Sequence, residues 1–243
     1  MNKIILFFRS LIFSIYMILA ATIYSFFCIL AFPLPFRFRY KMIVAWTGSV
    51  LWVLKKVCRI DYQIEGLENI PKDRNGIVLS KHQSTWETFF LQGLFPEAAI
   101  ILKRELLWIP FFGWGLAIIE PISINRSSIT AIKQIIQKGR KCLESGRWIL
   151  VYPEGTRIPP GQTGIYRMGG AKLAEQTGYP VIPVAHNAGR FWPRRSFIKY
   201  PGTIKVVIGP LIETKGLSAD QILNQAKNWI ETTMLRLDKS SFN

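Results

Sequence analysis

Apolar positions follow two different rhythms along this chain. From Leu11 to Phe32 they run without a charge, and at about 1.5 Å per residue a helix of that length crosses a typical hydrocarbon core. Basic residues stand at both ends, Lys3 and Arg9 before and Arg37, Arg39 and Lys41 after, so the positive-inside rule gives no orientation. A second apolar run, Met42 to Leu54, contains Trp46 and Trp52 and closes on Lys55 and Lys56. It is short for a span, and its tryptophans suit the headgroup boundary. A cleaved signal peptide fits less well, because the first stretch is long for one and no clear cleavage site follows. The pattern predicts a membrane-associated helical segment over residues 1–57, spanning or only entering the bilayer, and a separate domain over 58–243.

Beyond that point short apolar runs alternate with amphipathic ones. Strands are expected at Ile60 to Ile64, Gly76 to Ser80, Ala98 to Leu102, Ile122 to Ile124, Arg147 to Tyr152, Val181 to Ala185 and Thr203 to Ile208. Helices are expected over Trp86 to Leu94 and Tyr166 to Thr177. Another, capped by Ser127 or Ser128 and patterned by Ile129, Ile132, Ile135 and Ile136, should run to about Glu144, and a last one from Ser218, with Gln221 completing a capping box, to about Asp238. This alternation predicts an α/β fold with a mostly parallel central sheet flanked by helices, behind the N-terminal membrane-embedded helical segment. The stretch from Glu105 to Leu116, with Trp108, Phe111, Phe112 and Trp114, faces lipid, an acyl chain or the core.

Candidate chemistry lies at the strand ends, where ligands of open α/β sheets collect. His82 leaves one strand end, and Glu87 follows five residues later. On a continuous helix that offset separates the two side chains, so they meet only if His82 sits in the turn and Glu87 in the first helical turn. The carboxylate would then hold the imidazole in one tautomer, as a general base near neutral pH requires. The bland alternative is a Ser84-x-x-Glu87 capping box. A second stretch, Pro153-Glu154-Gly155-Thr156-Arg157, leaves another strand end, and Lys103-Arg104 a third. Arg126 follows a fourth, close to a helix start suited to phosphate. The other histidine, His186, has no nearby carboxylate and reads as a wall residue. Arg190-Phe191-Trp192-Pro193-Arg194-Arg195 reads as an interfacial anchor or a plain surface loop.

These blocks, in this order and joined by Ile109-Pro110-Phe111-Phe112-Gly113 and Val181-Ile182-Pro183-Val184, resemble the four blocks of the glycerolipid acyltransferase family over about residues 60 to 210. The resemblance implies acyl transfer from a thioester, of coenzyme A or acyl carrier protein, to the sn-2 hydroxyl of 1-acyl-sn-glycerol-3-phosphate (lysophosphatidic acid), with His82 as base and Glu87 orienting it. It implies that Glu154, Gly155, Thr156 and Arg157 line the acceptor site; Lys103, Arg104, Arg126 and Arg157 are candidate ligands of the acceptor phosphate. It also implies a helical pair entering the cytoplasmic leaflet of a bacterial inner membrane, with the site facing the cytoplasm. Two positions depart from the family: Glu87 stands where Asp is usual, one methylene longer, and Ile158 stands where a serine hydroxyl is usual. A relative acting on glycerol phosphate or another lysolipid, a thioesterase, and a non-catalytic membrane-binding protein are the competing readings.

Composition narrows the partners. With 49% hydrophobic residues in 243, disorder is excluded and one sizeable domain plus a membrane segment fits. A net charge of +16 favours anionic partners such as membrane lipids, phosphorylated substrates and an acidic carrier. Nucleic acid is disfavoured by the lack of any zinc spacing, basic helix or RNA-binding signature. Cys28, Cys58 and Cys142 are scattered and suggest neither disulfides nor a metal site, and no cofactor is expected beyond the thioester co-substrate.

Overall fold

The computed structural model describes residues 2–125 and 130–239; the expected phosphate ligand Arg126 and the caps Ser127 and Ser128 lie outside them. Seven strands, β1 (Ile60–Glu65), β2 (Ile77–Ser80), β3 (Ala99–Lys103), β4 (Ile122–Ile124), β5 (Ile149–Val151), β6 (Val181–His186) and β7 (Gly202–Ile208), form one sheet in the order β1-β7-β6-β2-β5-β3-β4. Every neighbouring pair is parallel except β6 with β7. The carboxyl ends of β2, β5, β3 and β4 therefore stand side by side at one edge of the sheet.

Alternation along the strands builds two cores. Val78, Ile100, Leu150 and Ile182 point to one face, and Ile77, Leu79, Ile149 and Val181 to the other. The first face is covered by α1 (Lys3–Leu30), α2 (Phe36–Val53) and α3 (Trp86–Leu94); the second by α5 (Ala131–Glu144), α6 (Gly169–Thr177) and α7 (Ala219–Lys239). A short helix, α4 (Phe112–Ala117), packs on α1. The expected capping box of α7 is formed in both directions: Gln221 Oε1 accepts from the Ser218 N–H at 2.8 Å, and Ser218 Oγ from the Gln221 N–H at 3.3 Å.

The two N-terminal helices differ from the pattern-based expectation. The second is a full 18 residues and begins inside the basic cluster, not after it. Arg39 is buried, donating to the Ile118 carbonyl at 2.9 Å and pairing with Glu120 at 2.7 Å. α1 shares its inner side with the sheet domain. Phe13 is fully buried edge-on to Trp192, the ring centroids 5.2 Å apart, and Ser25 Oγ donates to the Phe111 carbonyl at 2.7 Å. Its outer side exposes Phe8, Ile12, Ile18, Leu19 and Phe26, and the helix is long and apolar enough to cross a membrane. Trp192 is a core residue rather than an interfacial anchor, being only 6% exposed. In the aromatic stretch Trp108 is 68% exposed, and Phe111 and Trp114 also face outward, which removes the core reading there.

Candidate active site

Where β2 ends, the Lys81 N–H still bonds the Val184 carbonyl at 3.0 Å, and the chain then turns into α3. His82 occupies that turn and Glu87 the first turn of α3, the one arrangement that lets a five-residue offset close. Glu87 Oε1 accepts from His82 Nδ1 at 2.9 Å and from the N–H groups of Gln83 and Ser84, both at 2.8 Å. One oxygen thus bonds the helix start and the imidazole together, so the hydrogen bonds expected from each reading of Glu87 are both present.

Burial works against a charge on Glu87, yet the His186 and His82 imidazoles and the Ser84 N–H outweigh it and hold the carboxyl below its ordinary range. An ionised carboxylate is acceptor only, so the proton of this hydrogen bond sits on His82 Nδ1. The ring stacks on Tyr152 with centroids 4.2 Å apart and planes 22° from parallel. Backbone bonds fix both sides of the residue: its N–H donates to Glu154 Oε2 at 3.0 Å, and its carbonyl accepts from the Ile158 N–H at 2.8 Å.

His82 opens on a cavity of about 170 Å³ between α1, α2, α3 and the sheet, walled by Cys28, Ile43, Phe89, Ile100, Leu102 and Leu116. Arg157 lines the same cavity and has no acidic partner among the described residues. An apolar slot with a few convergent polar groups is the usual form of a small-molecule site. A second cavity, about 280 Å³, lies under the other sheet face beside Gly155 and Arg167. Tyr152 borders both cavities, and its hydroxyl is buried without a hydrogen-bond partner among the described residues. Burial, with the Glu87 charge, keeps that phenol protonated far above its usual range.

The remaining candidates divide by environment. Glu154 is fully buried and takes Lys81 Nζ at 2.7 Å and the Gly164 N–H at 3.1 Å on one oxygen and the His82 N–H on the other. It therefore braces the turn from behind, with no oxygen left facing a cavity. Gly155 adopts φ +66°, a left-handed conformation that suits glycine, and Thr156 is exposed. Lys103 and Arg104 are exposed at the end of β3, with Lys103 paired to Glu105 at 3.3 Å. Ile158 takes the serine position of the family block; its N–H still bonds His82, and its side chain fills the space against Gly164. His186 is a structural residue: Nε2 donates to the Lys81 carbonyl at 2.8 Å, Nδ1 accepts from the Ala188 N–H at 3.3 Å, and burial pushes its basicity down.

Sequence reasoning missed Lys81, Tyr152 and Glu231. Lys81 and Tyr152 carry a weak signal, as polar groups at the ends of buried strands. Glu231 carries none, since it reaches Lys81 across 150 residues.

A His–Glu pair in a turn at the carboxyl edge of a mixed sheet, open to an apolar slot that Arg157 also lines, suits an α/β enzyme for amphiphilic, anionic substrates. Comparison with known proteins narrows that class. A family model described as acyltransferase matches residues 61–187. The 1-acyl-sn-glycerol-3-phosphate acyltransferase of Pseudomonas aeruginosa is 50% identical over 209 residues, covering 84% of this chain and 81% of that protein. The protein of the same name from Borreliella burgdorferi is 30% identical, over 75% of this chain and 72% of its own. The crystal structure of the 1-acyl-sn-glycerophosphate acyltransferase PlsC from Thermotoga maritima matches with a TM-score of 0.82 at 26% identity, covering 98% of each chain. The chain belongs to the acyltransferase family.

Proposed function

We propose that this acyltransferase moves a fatty acyl group from a thioester to the sn-2 hydroxyl of 1-acyl-sn-glycerol-3-phosphate, producing phosphatidic acid. The observation that carries this reading is the His82–Glu87 pair opening directly on the apolar cavity that Arg157 also lines. The printed names of the Pseudomonas and Borreliella relatives support the same acceptor.

In this reading His82 Nε2 takes the proton of the acceptor hydroxyl as its oxygen attacks the thioester carbonyl. The imidazolium that forms is stabilised by Glu87, and it returns the proton to the departing thiolate when the carbon–sulfur bond breaks. No acyl-enzyme is required. Arg157 holds the acceptor phosphate, since a guanidinium offers phosphate two donors at once. Lys103 and Arg104 add positive charge at the end of β3, Thr156 is exposed in the turn after β5, and Arg126, outside the described residues, is kept as a candidate phosphate ligand from the sequence. Gly155 shapes the turn, and Glu154 holds it. The acyl chain of the donor lies in the cavity between the helices. In this reading the outer face of α1 and the aromatic stretch around Trp108 enter the lipid, and the site works at the surface of the inner membrane on its cytoplasmic side.

The test is transfer of a labelled acyl group from coenzyme A and from acyl carrier protein to lysophosphatidic acid, with other lysolipids and glycerol phosphate as competitors. Wild type should form phosphatidic acid, and His82→Ala should lose at least about a hundredfold in kcat, the lower range for a general base. Near-normal turnover of the variant would remove His82 from the base role. Arg157→Ala should raise KM for the acceptor well beyond that for the donor; a change confined to the donor would move Arg157 to the thioester end of the site.

A further inference from the structure

We infer that Lys81 and Glu231 are positioning residues for His82, so that the carboxyl-terminal helix sets turnover through a buried charge cluster behind the catalytic turn. Lys81 is fully buried although its carbon stem ends in an ammonium. Its three donors meet three acceptors: Glu154 Oε1 at 2.7 Å, Glu231 Oε1 at 2.9 Å and the Gln162 carbonyl at 3.1 Å. Glu231, on α7, is held further by Tyr166 and by Thr163, whose hydroxyls donate to its two oxygens, each at 2.7 Å. Glu154 passes this arrangement on to the site, because its second oxygen accepts the His82 N–H at 3.0 Å. The Lys81 carbonyl is fixed separately by His186 at 2.8 Å.

The charges explain why the lysine matters. Without its ammonium, two carboxylates would share one buried site, and like charges in such a place do not both stay ionised. Glu154 would be pushed away from Glu231, and the His82 N–H would lose its fixed acceptor. Displacement of a reacting group by about 1 Å costs on the order of a hundredfold in rate, so the brace is felt at His82 Nε2 without touching substrate. Glu231 lies 44 residues past the end of the family match at residue 187 (231 − 187), on an element that contributes no side chain to the cavity beside His82.

This inference rests on the acyl-transfer reading, and its test separates the two. Full-length wild type, Lys81→Met, Glu231→Ala and the double variant are assayed in detergent with acyl-coenzyme A and lysophosphatidic acid. Arg236→Gln, which breaks the exposed pair between Arg236 on the same helix and Glu65 at the end of β1, serves as control. Amide hydrogen exchange at residue 82 is followed in parallel. We expect Lys81→Met to lose about tenfold or more in kcat with both KM values within about threefold, as loss of alignment without loss of binding requires. Glu231→Ala should lose less, the double variant no more than Lys81→Met, and exchange at residue 82 should quicken in all three. Arg236→Gln should match wild type. Wild-type kcat in either folded variant, or losses that multiply in the double variant, would overturn the inference. If Lys81→Met does not fold, half-buried Glu231 decides alone. If wild type itself transfers nothing, the functional reading fails, and unchanged exchange at residue 82 would then sink the brace separately.

Discussion

A single oxygen at residue 87 explains why the turn after β2 is ordered before any substrate arrives. Glu87 Oε1 serves three N–H donors, and with Glu in place of the family's Asp the longer stem still reaches the imidazole. The second histidine is also fully buried, and this has a consequence for stability. Burial lowers its pKa from the ordinary 6.5, so below that pH the unfolded chain takes up a proton that folded His186 refuses, and stability falls with pH. Glu87 adds its own loss only lower down. Its folded pKa lies below the ordinary 4.5, so its contribution is complete above 4.5 and disappears as pH drops through the folded value. Thermal unfolding in detergent should therefore show a decline beginning near pH 6.5. His186→Gln, which can still donate to the Lys81 carbonyl, should delay that decline towards the carboxylate range; an unchanged profile would assign the upper limb to other groups.

Among the elements, the strands and the His82 turn were readable because their burial is local: a short apolar run between turn signals has few other fates, and the five-residue offset admits one geometry. Helices α1 and α2 were only half readable. An apolar helix side looks the same whether lipid or protein covers it, so the pattern did not reveal that Phe13 and Val50 belong to the sheet's core. The brace through Lys81 and Glu231 depends on tertiary contact alone and leaves no periodic trace. In the aromatic stretch, the role of Gly113 is likewise a matter of contact. A Cβ there would lie 2.3 Å from the Leu107 carbonyl oxygen, part of the backbone of the 3-10 turn Arg104–Trp108, which cannot yield as a side-chain end can. Gly113→Ala should thus cost about 1–3 kcal/mol, the range for overpacking, outweighing alanine's better helix propensity of about 1 kcal/mol. Differential scanning in detergent should record a lower Tm, and an equal or higher Tm would show that α4 simply shifts outward.

At the scale of the whole molecule, two separate attractions for a membrane are built into different parts of the surface. One is apolar: the outer side of α1 and the exposed rings of Trp108, Phe111 and Trp114. The other is the net charge of +16, from which some cations are withdrawn into the interior, as Arg39 and Lys81 are by Glu120, Glu154 and Glu231. Their responses to salt differ. Coulombic attraction to anionic lipid weakens as the Debye length falls from about 10 Å at 0.1 M to about 3 Å at 1 M, whereas burial of apolar surface persists or strengthens. Flotation with anionic and with zwitterionic vesicles at these two salt levels should therefore show stronger binding to anionic vesicles at low salt. The two should converge on a substantial common level at high salt. Complete release from both at high salt would mean that charge alone holds the protein and that the α1 face is not inserted. Equal binding at low salt would mean that the surface cations do not reach the lipid headgroups. Convergence at a high level fits a protein whose apolar helix fixes it in the bilayer while its cations concentrate anionic lipid at the mouth of the site.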